Sequence, residues 1–347
     1  MAQATRRQLT LLIAVAGIAA ALLAAALIPV PYVILSPGPT LNTLGARPDG
    51  KNLIQISGHP TYPTNGKLNL VTVSYQGGPS NSLNLFAALQ GWISPHEAVV
   101  PQEELFGTNQ TQQEVVRQDT QAMVSSQQLA QAAALCQLGI KFDTVDTVNR
   151  VKAGLPAAGV LHEGDVITAV DGKAVTCKTP AGTLIKARAP GAPVVLTVDR
   201  KGATHEFRLK TANSDGNAVV GVDVLESYRF PFQVKISVGD IGGPSAGLMF
   251  ALGIIDKLTP GKLTGGRFIA GTGEIAANGA VGPIGGIQQK MAGARAAGAT
   301  VFLTPAGNCP DTAGAVPQGL RLIKVSTLGG AVHDLNALAA GGSVPSC

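Results

Sequence analysis

The sequence is short of charge. Asp, Glu, Lys and Arg make up 14% of its 347 residues against 45% hydrophobic, and the net charge of +5 is spread along the chain. No run of Lys and Arg exceeds two residues, as at Arg6-Arg7, so the electrostatic footprint of a nucleic-acid binder is missing. The four cysteines, Cys136, Cys177, Cys309 and Cys347, include no CxxC pair, and no metal site is expected. A phosphate-binding P-loop is also lacking. The nearest approach, Gly172 to Thr179, has Cys177 where the second glycine belongs. Gly271-Thr272-Gly273-Glu274-Ile275-Ala276 fits a dinucleotide pattern, but no βαβ unit with its acidic residue follows. Neither a nucleotide nor a cofactor is expected. Histidine is scarce too, five in all, and only His333 follows residue 245.

What the chain does have begins at the N-terminus. Leu9 to Ile28 carries no charge and follows Arg6 and Arg7. It matches the roughly 20 residues a helix needs to cross a bilayer, and the arginines favour a cytoplasmic N-terminus. The expectation is a single-pass anchor in the cell membrane, with residues 1–8 cytoplasmic, residues 9–30 in the bilayer and the bulk outside. A cleaved signal peptide competes, since Ala24-Ala25-Ala26 offers small residues, but the apolar run exceeds a usual signal core. An even cysteine count in an exported protein points to disulfides. Cys136–Cys177 and Cys309–Cys347 are the expected pairs, on the ground that each falls within one domain, with free buried thiols as the alternative.

Residues 31–138 read as a mixed α/β segment. Pro31, Pro37 and Pro39 make an extended exit, and Lys67 to Ser74 alternates as a strand does, with Leu68, Leu70, Val71 and Val73 as core. Glu103 to Leu138 reads as amphipathic helix, with Val115, Met123, Leu129 and Leu135 on its buried side. Trp92 reads as packing rather than a ligand platform.

Residues 139–212 change character. Short strands at 144–148, 194–198 and 205–209 surround GLPAAGVLHEGDVITAVDGKAV, Gly154 to Val175. There Leu155 to Leu161 is expected to open a short helix, Val166 to Val170 a strand, and Asp171-Gly172 a tight hairpin turn. This segment resembles a PDZ domain of the bacterial protease-associated kind. The resemblance implies a groove that adds an extended peptide to a sheet edge and captures its C-terminal carboxylate. It places the carboxylate loop near Leu138-Gly139-Ile140, which departs from the usual Gly-Leu-Gly-Phe form. A small β-domain without a ligand is the plainer reading.

The chemistry lies between Val234 and Gly298. Val234, Ile236 and Val238 alternate as a half-buried strand, a glycine-rich corner follows, and Ser245 opens an apolar helix carrying Leu248, Phe250, Ala251 and Ile254. A serine there either caps the helix or acts as a nucleophile beside free N–H groups. Gly243-Pro244-Ser245-Ala246-Gly247 satisfies the hydrolase elbow, but the strand ends six residues too early, and His333 with Asp334 would have to complete a triad. A Ser–Lys pair fits better. Lys290 shares a helical face with Ile287, Met291 and Ala294, where lost hydration lowers its pKa and lets a neutral amine take the serine proton.

These motifs closely resemble the proteolytic domain of Lon-type serine peptidases. The matching residues are G-P-S-A-G around Ser245, T-G-E-I at Thr272 to Ile275, and G-x-V-x-P-I-G-G-I-x-x-K from Gly279 to Lys290, with serine and lysine 45 residues apart. The resemblance implies Ser245 as nucleophile, Lys290 as general base, Thr272 as the hydroxyl orienting that lysine, and Gly243, Pro244 and the Ser245 amide around the oxyanion. One departure is Gly242, where the family commonly has an acidic residue. Asp240 then either caps the loop or assists catalysis.

The expected architecture is α+β: a transmembrane helix, a small β-rich PDZ module at 139–212, and a Lon-type proteolytic domain at 213–347 that residues 31–138 complete. The arrangement is similar to PDZ-containing Lon-like proteases of bacteria. It implies an ATP-independent, membrane-anchored serine endopeptidase of protein quality control, taking unfolded or extended proteins through its PDZ groove. A homo-oligomer is expected by resemblance, since Lon-type domains commonly form rings. The alternatives are a binding or scaffold protein with an inactive peptidase fold and a histidine-dependent serine esterase.

Overall fold

A computed structural model describes residues 2–47, 50–79, 81–107 and 110–347. One sheet has six strands, in the order Arg321–Val325, Val301–Pro305, Phe268–Gly271, Lys67–Gln76, Tyr32–Asn42 and Ala98–Pro101. The first four run parallel, and Tyr32–Asn42 runs antiparallel to both of its neighbours. Strands from residues 32–101 and from residues 268–325 thus share one sheet, joined where Lys67–Gln76 pairs with Phe268–Gly271.

Alternation along these strands divides the core in two, because successive side chains point to opposite faces. Leu68, Leu70, Ile269, Leu303 and Ile323 turn to one face, where they pack with the helices Gln112–Gln137, Gly247–Leu258 and Leu328–Ala339. Val71, Ala270, Phe302 and Leu322 turn to the other and bury Ile287, Met291 and Ala294 of the helix Ile287–Ala296. The helix Gly247–Leu258 is buried along its whole length, which explains why it is apolar all round from Gly247 to Ile255; Asp256 and Lys257 in its last turn are buried with hydrogen bonds to the Leu263 N–H and the Leu44 carbonyl. Residues 103–138 divide into a short helix, Gln102–Leu105, and the long helix Gln112–Gln137, which a Thr111–Glu114 capping box opens.

A second, five-membered strand path runs Ala203–Lys210, Pro193–Arg200, Val166–Val170, Asp143–Val151 and Val222–Arg229, around its own core of Val148, Ile167, Leu196 and Val198. Asp171 and Gly172 both take positive φ, at 49° and 73°, as the tight hairpin turn requires. Leu155 to Leu161 is a succession of turns, which corrects the expected helix. The Ala158 and Val160 N–H groups close three-residue turns and only the Leu161 N–H reaches back four residues, to the Ala157 carbonyl, while Gly159 at φ 74° keeps these turns from joining into a helix. The chain enters this unit after Gln137 and leaves it after Arg229, and the two crossings touch through the Phe142–Phe230 ring contact.

Disulfides join Cys136 to Cys177 and Cys309 to Cys347. These are the expected pairs, and because Cys136 lies on the last turn of the long helix, the first bridge ties that helix to the β-rich unit. The helix Ala2–Leu27 contains a stretch, Thr5–Leu27, long and apolar enough to cross a membrane by length and composition, and none of it is buried.

Phe250 is fully buried in the central helix. Phe250→Ala is expected to destabilise the protein by about 3–5 kcal/mol through lost transfer energy and the cavity left behind, read as a lowered urea midpoint.

Candidate active site

Ser245 sits in the turn before the helix Gly247–Leu258, at the end of a corner whose shape depends on two glycines. A Cβ on Gly242 would fall 2.6 Å from the Asp119 Cβ, and one on Gly247 would fall 2.6 Å from the Ile275 side chain. The corner is held from the long helix: the Gly243 N–H donates to the Asp119 carbonyl at 2.9 Å, and the Ser126 hydroxyl donates to the Pro244 carbonyl at 2.9 Å. No side chain caps the serine-bearing helix, so Ser245 does not adopt the capping role. Its hydroxyl faces Lys290 instead.

Lys290 Nζ donates to Ser245 Oγ at 2.8 Å and to Thr272 Oγ1 at 3.1 Å. Thr272 in turn donates its hydroxyl to the Ser245 carbonyl at 2.9 Å, and the Gly273 N–H donates to the same carbonyl at 2.8 Å. The three side chains come from three elements and are tied into one network. Lys290 is 3% exposed. Burial disfavours its charged form and lowers its pKa to about 8, against an opposing pull from Glu274.

A cleft of about 660 Å³ opens over this network. Asp240, Ile241, Gly242, Pro244, Ser245 and Ala246 form one side, and Val116, Asp119, Thr120 and Met123 of the long helix face them. Asp240 is exposed at the cleft mouth. Asp119 is closer in, and burial raises its pKa. Sequence reading missed this residue, although Val116, Asp119, Thr120 and Met123 lie at helical spacing on one face. It stands where a side chain on residue 242 would point, so an acidic group reaches the corner from a distant helix although Gly242 carries none. Gly243 does not line the cleft and its N–H is engaged; Pro244 lines it but has no N–H to donate. Among the described residues, nothing accepts a hydrogen bond from the N–H of Ser245 or Ala246. His333, on the helix Leu328–Ala339, does not line the cleft.

A second groove, about 750 Å³, lies where the helix Ala181–Lys186 and the strand Val222–Arg229 of the β-rich unit face Ser125, Gln128 and Leu129 of the long helix and the segment 274–282. This strand pairs only with Asp143–Val151 in its sheet, so its outer edge is open. The strand after Leu138-Gly139-Ile140 is Asp143–Val151, which has neighbours on both sides and cannot accept an added chain. Of the two edge strands, only Val222–Arg229 borders the groove, and a carboxylate loop feeding it would lie at Val219-Val220-Gly221 rather than at Leu138-Gly139-Ile140. Glu274 lines both this groove and the serine cleft.

Comparison with known proteins assigns both units. Residues 136–211 match the PDZ domain, and residues 232–335 match the Lon protease (S16) C-terminal proteolytic domain. Lon protease 2 of Herpetosiphon aurantiacus is 36% identical over 104 residues, covering 29% of this chain and 12% of that protein. Lon protease 1 of Bacillus subtilis is 35% identical over 109 residues, covering 30% and 14%. The chain thus spans about an eighth of the length of these curated relatives. The crystal structure of a PDZ domain from an SdrC-like protein of Listeria innocua is 31% identical, over 25% of this chain and 98% of that one, with a TM-score of 0.22.

The buried amine makes stability depend on pH. The lysine pKa is 10.5 in an exposed chain and about 8 when folded. Between these values the unfolded chain binds the extra proton, so stability rises with pH across this window; below about 8 the full penalty applies. Relative to a Lys290→Met variant, the parent protein should gain about 3 kcal/mol of unfolding free energy between pH 8 and 10.5, measured by urea titrations along the pH series.

Proposed function

Starting from a chain that carries a PDZ domain and a Lon-type (S16) proteolytic domain, we propose that it is a serine endopeptidase working through a Ser245–Lys290 dyad. The observation that carries this reading is the 2.8 Å contact from a buried, pKa-lowered Lys290 amine to the Ser245 hydroxyl at the floor of an open cleft. In its neutral form Lys290 takes the proton from Ser245 Oγ as that oxygen bonds to the peptide carbonyl. The N–H groups of Ser245 and Ala246, at the helix N-terminus, receive the developing oxyanion. Lys290 then passes the proton to the leaving amine, and a water attacks the acyl-enzyme by the same route in reverse. Thr272 is a positioning residue, since it holds the amine and the Ser245 carbonyl together. Asp240 is read as a loop residue at the rim of the cleft.

The PDZ groove supplies binding energy remote from the scissile bond. A peptide added along Val222–Arg229 would reach the serine cleft across Glu274, which borders both spaces. No P-loop accompanies the two domains in the sequence, so the reading is of an ATP-independent peptidase for unfolded or extended chains. Residues 31–138 and 213–347 are read as one peptidase domain with the PDZ module at 139–212 inserted. The N-terminal helix is read as a single-pass anchor, with its N-terminus cytoplasmic and the peptidase outside. The scaffold reading has no observation in its favour. The esterase reading loses its base, because His333 does not line the cleft.

With a fluorogenic unfolded polypeptide as substrate, Ser245→Ala should abolish turnover, and Lys290→Ala should lower kcat by about 10²–10⁴-fold while the protein stays folded. The kcat/KM of the parent enzyme should rise with pH along a limb centred near 8, as Lys290 loses its proton. Unchanged hydrolysis in Lys290→Ala, or a limb near the ordinary histidine value, would remove the lysine from the mechanism. Leu225 is exposed in the PDZ groove. Leu225→Arg should raise KM about tenfold with kcat unchanged for substrates with a free apolar C-terminus, the worth of roughly 1.5 kcal/mol of buried leucine.

A further inference from the structure

The helix Leu85–Ile93 is built the wrong way round for a soluble surface. Its small residues Ala88 and Gly91 face the protein and are buried. Gly91 packs so closely that a Cβ there would meet Val99 at 2.9 Å and Ile34 at 3.2 Å. Its large residues, Leu85, Phe86, Leu89, Trp92 and Ile93, turn outward along one stripe, with Phe86, Trp92 and Ile93 57%, 56% and 85% exposed. A stripe of this kind needs a partner.

The fold says which one. The candidate span ends at Leu27, and after Ile28 the residues Pro29 and Val30 pair with Asn84 and Leu83, which immediately precede this helix. Asn84 caps it by accepting from the Ala87 N–H. Tyr32, two residues past the pairing, meets the Trp92 ring edge-on at 5.9 Å. The outward stripe is therefore fixed beside the mouth of the span, in register with it. From Gln76 to Pro95 the sequence holds no charged residue, so attraction to an acidic or basic protein partner, or to anionic lipid, has nothing to act through. A tryptophan with aliphatic neighbours at the end of a span is the composition of a bilayer interface.

We propose that the Leu85–Ile93 helix is a second membrane contact, lying in the interface of the bilayer with its stripe about 5–10 Å into the headgroup and acyl boundary. This rests on the anchor reading of Thr5–Leu27. The helix packs on Ile34, and the same strand, Tyr32–Asn42, continues to Pro39 at the rim of the serine cleft. The contact thus sets the height and tilt of the cleft above the membrane, which a single flexible span would leave free. It favours polypeptides presented at the membrane surface.

Trp92 is the only tryptophan in the chain and reports directly on the proposal. The full chain is reconstituted into vesicles of zwitterionic phosphatidylcholine with or without bromine on the upper acyl carbons. The expected result is blue-shifted Trp92 emission, quenched by the brominated lipid and insensitive to salt. In a Phe86→Ser/Leu89→Ser/Ile93→Ser variant the quenching should be lost while Ser245-dependent hydrolysis continues. Alkaline carbonate extraction of the same vesicles reads the anchor separately. A chain that resists extraction but whose Trp92 emits as in water, unquenched, overturns the interfacial contact and leaves the anchor standing. Unquenched but blue-shifted emission, with cross-links between copies through residue 93, overturns it in favour of a second copy of this chain. Release by carbonate overturns the anchor and this inference together.

Discussion

The arrangement rests on bringing a buried amine to a serine that starts on the other side of a sheet. Ser245 precedes a helix packed on one face of the six-stranded sheet, and Lys290 sits on a helix packed on the opposite face. They meet only beyond the end of Phe268–Gly271, the strand between them, where Thr272 is the next residue. The parallel strands fix both helices, so the contact is set by the sheet rather than by the flexibility of either side chain. The same geometry dries the amine: the Lys290 helix buries Ile287, Met291 and Ala294 against the sheet, and the lysine between them loses water with its neighbours. The shift to about 8 follows from packing that the core already requires.

This explains what was legible in the sequence. Ser245, Thr272 and Lys290 stand in short motifs whose spacing reflects the two helices and the strand between them. Leu68, Leu70 and Val71 mark their strand because apolar and polar residues alternate locally, although the strand is buried on both faces and takes Asn69 with it. The long helix was visible through Val115, Met123 and Leu135 for the same reason. Its outer face was not, because Asp119 and Ser126 gain meaning only from residues 118 and more positions away in the chain, as the Ser126 bond to Pro244 shows. A polar residue on an amphipathic helix reads as solvated until the tertiary contact is known.

The carboxylate loop went astray for a related reason. Local sequence suggested Leu138-Gly139-Ile140, since it precedes the first strand of the PDZ unit. Which strand has a free edge is a property of sheet order, and sheet order is not local. Asp143–Val151 lies inside the sheet, and the edges fall to Ala203–Lys210 and Val222–Arg229, of which only the second borders the groove. Leu155 to Leu161 is a different case: the apolar run suggests a helix, and the positive φ that Gly159 takes between successive turns breaks it.

The PDZ unit hangs on two adjacent crossings, and two such strands alone would form a hinge. The Cys136–Cys177 bridge adds a third tie, from the C-terminal turn of the long helix to the loop beyond the Asp171-Gly172 turn. That helix is the one whose other end lines the serine cleft. Its axis therefore carries the cleft wall at Asp119 and Met123 and the PDZ tether at Cys136 as parts of one rigid body, buttressed by the helices Gly247–Leu258 and Leu328–Ala339. Binding to a preorganised groove loses less configurational entropy than binding that must first arrest a swinging domain. The disulfide acts on the unfolded chain as well, because it closes a loop across a sequence separation of 41. One covalent bond thus serves stability and alignment together, through a helix whose C-terminal half, residues 130–136, is buried continuously up to the attachment point.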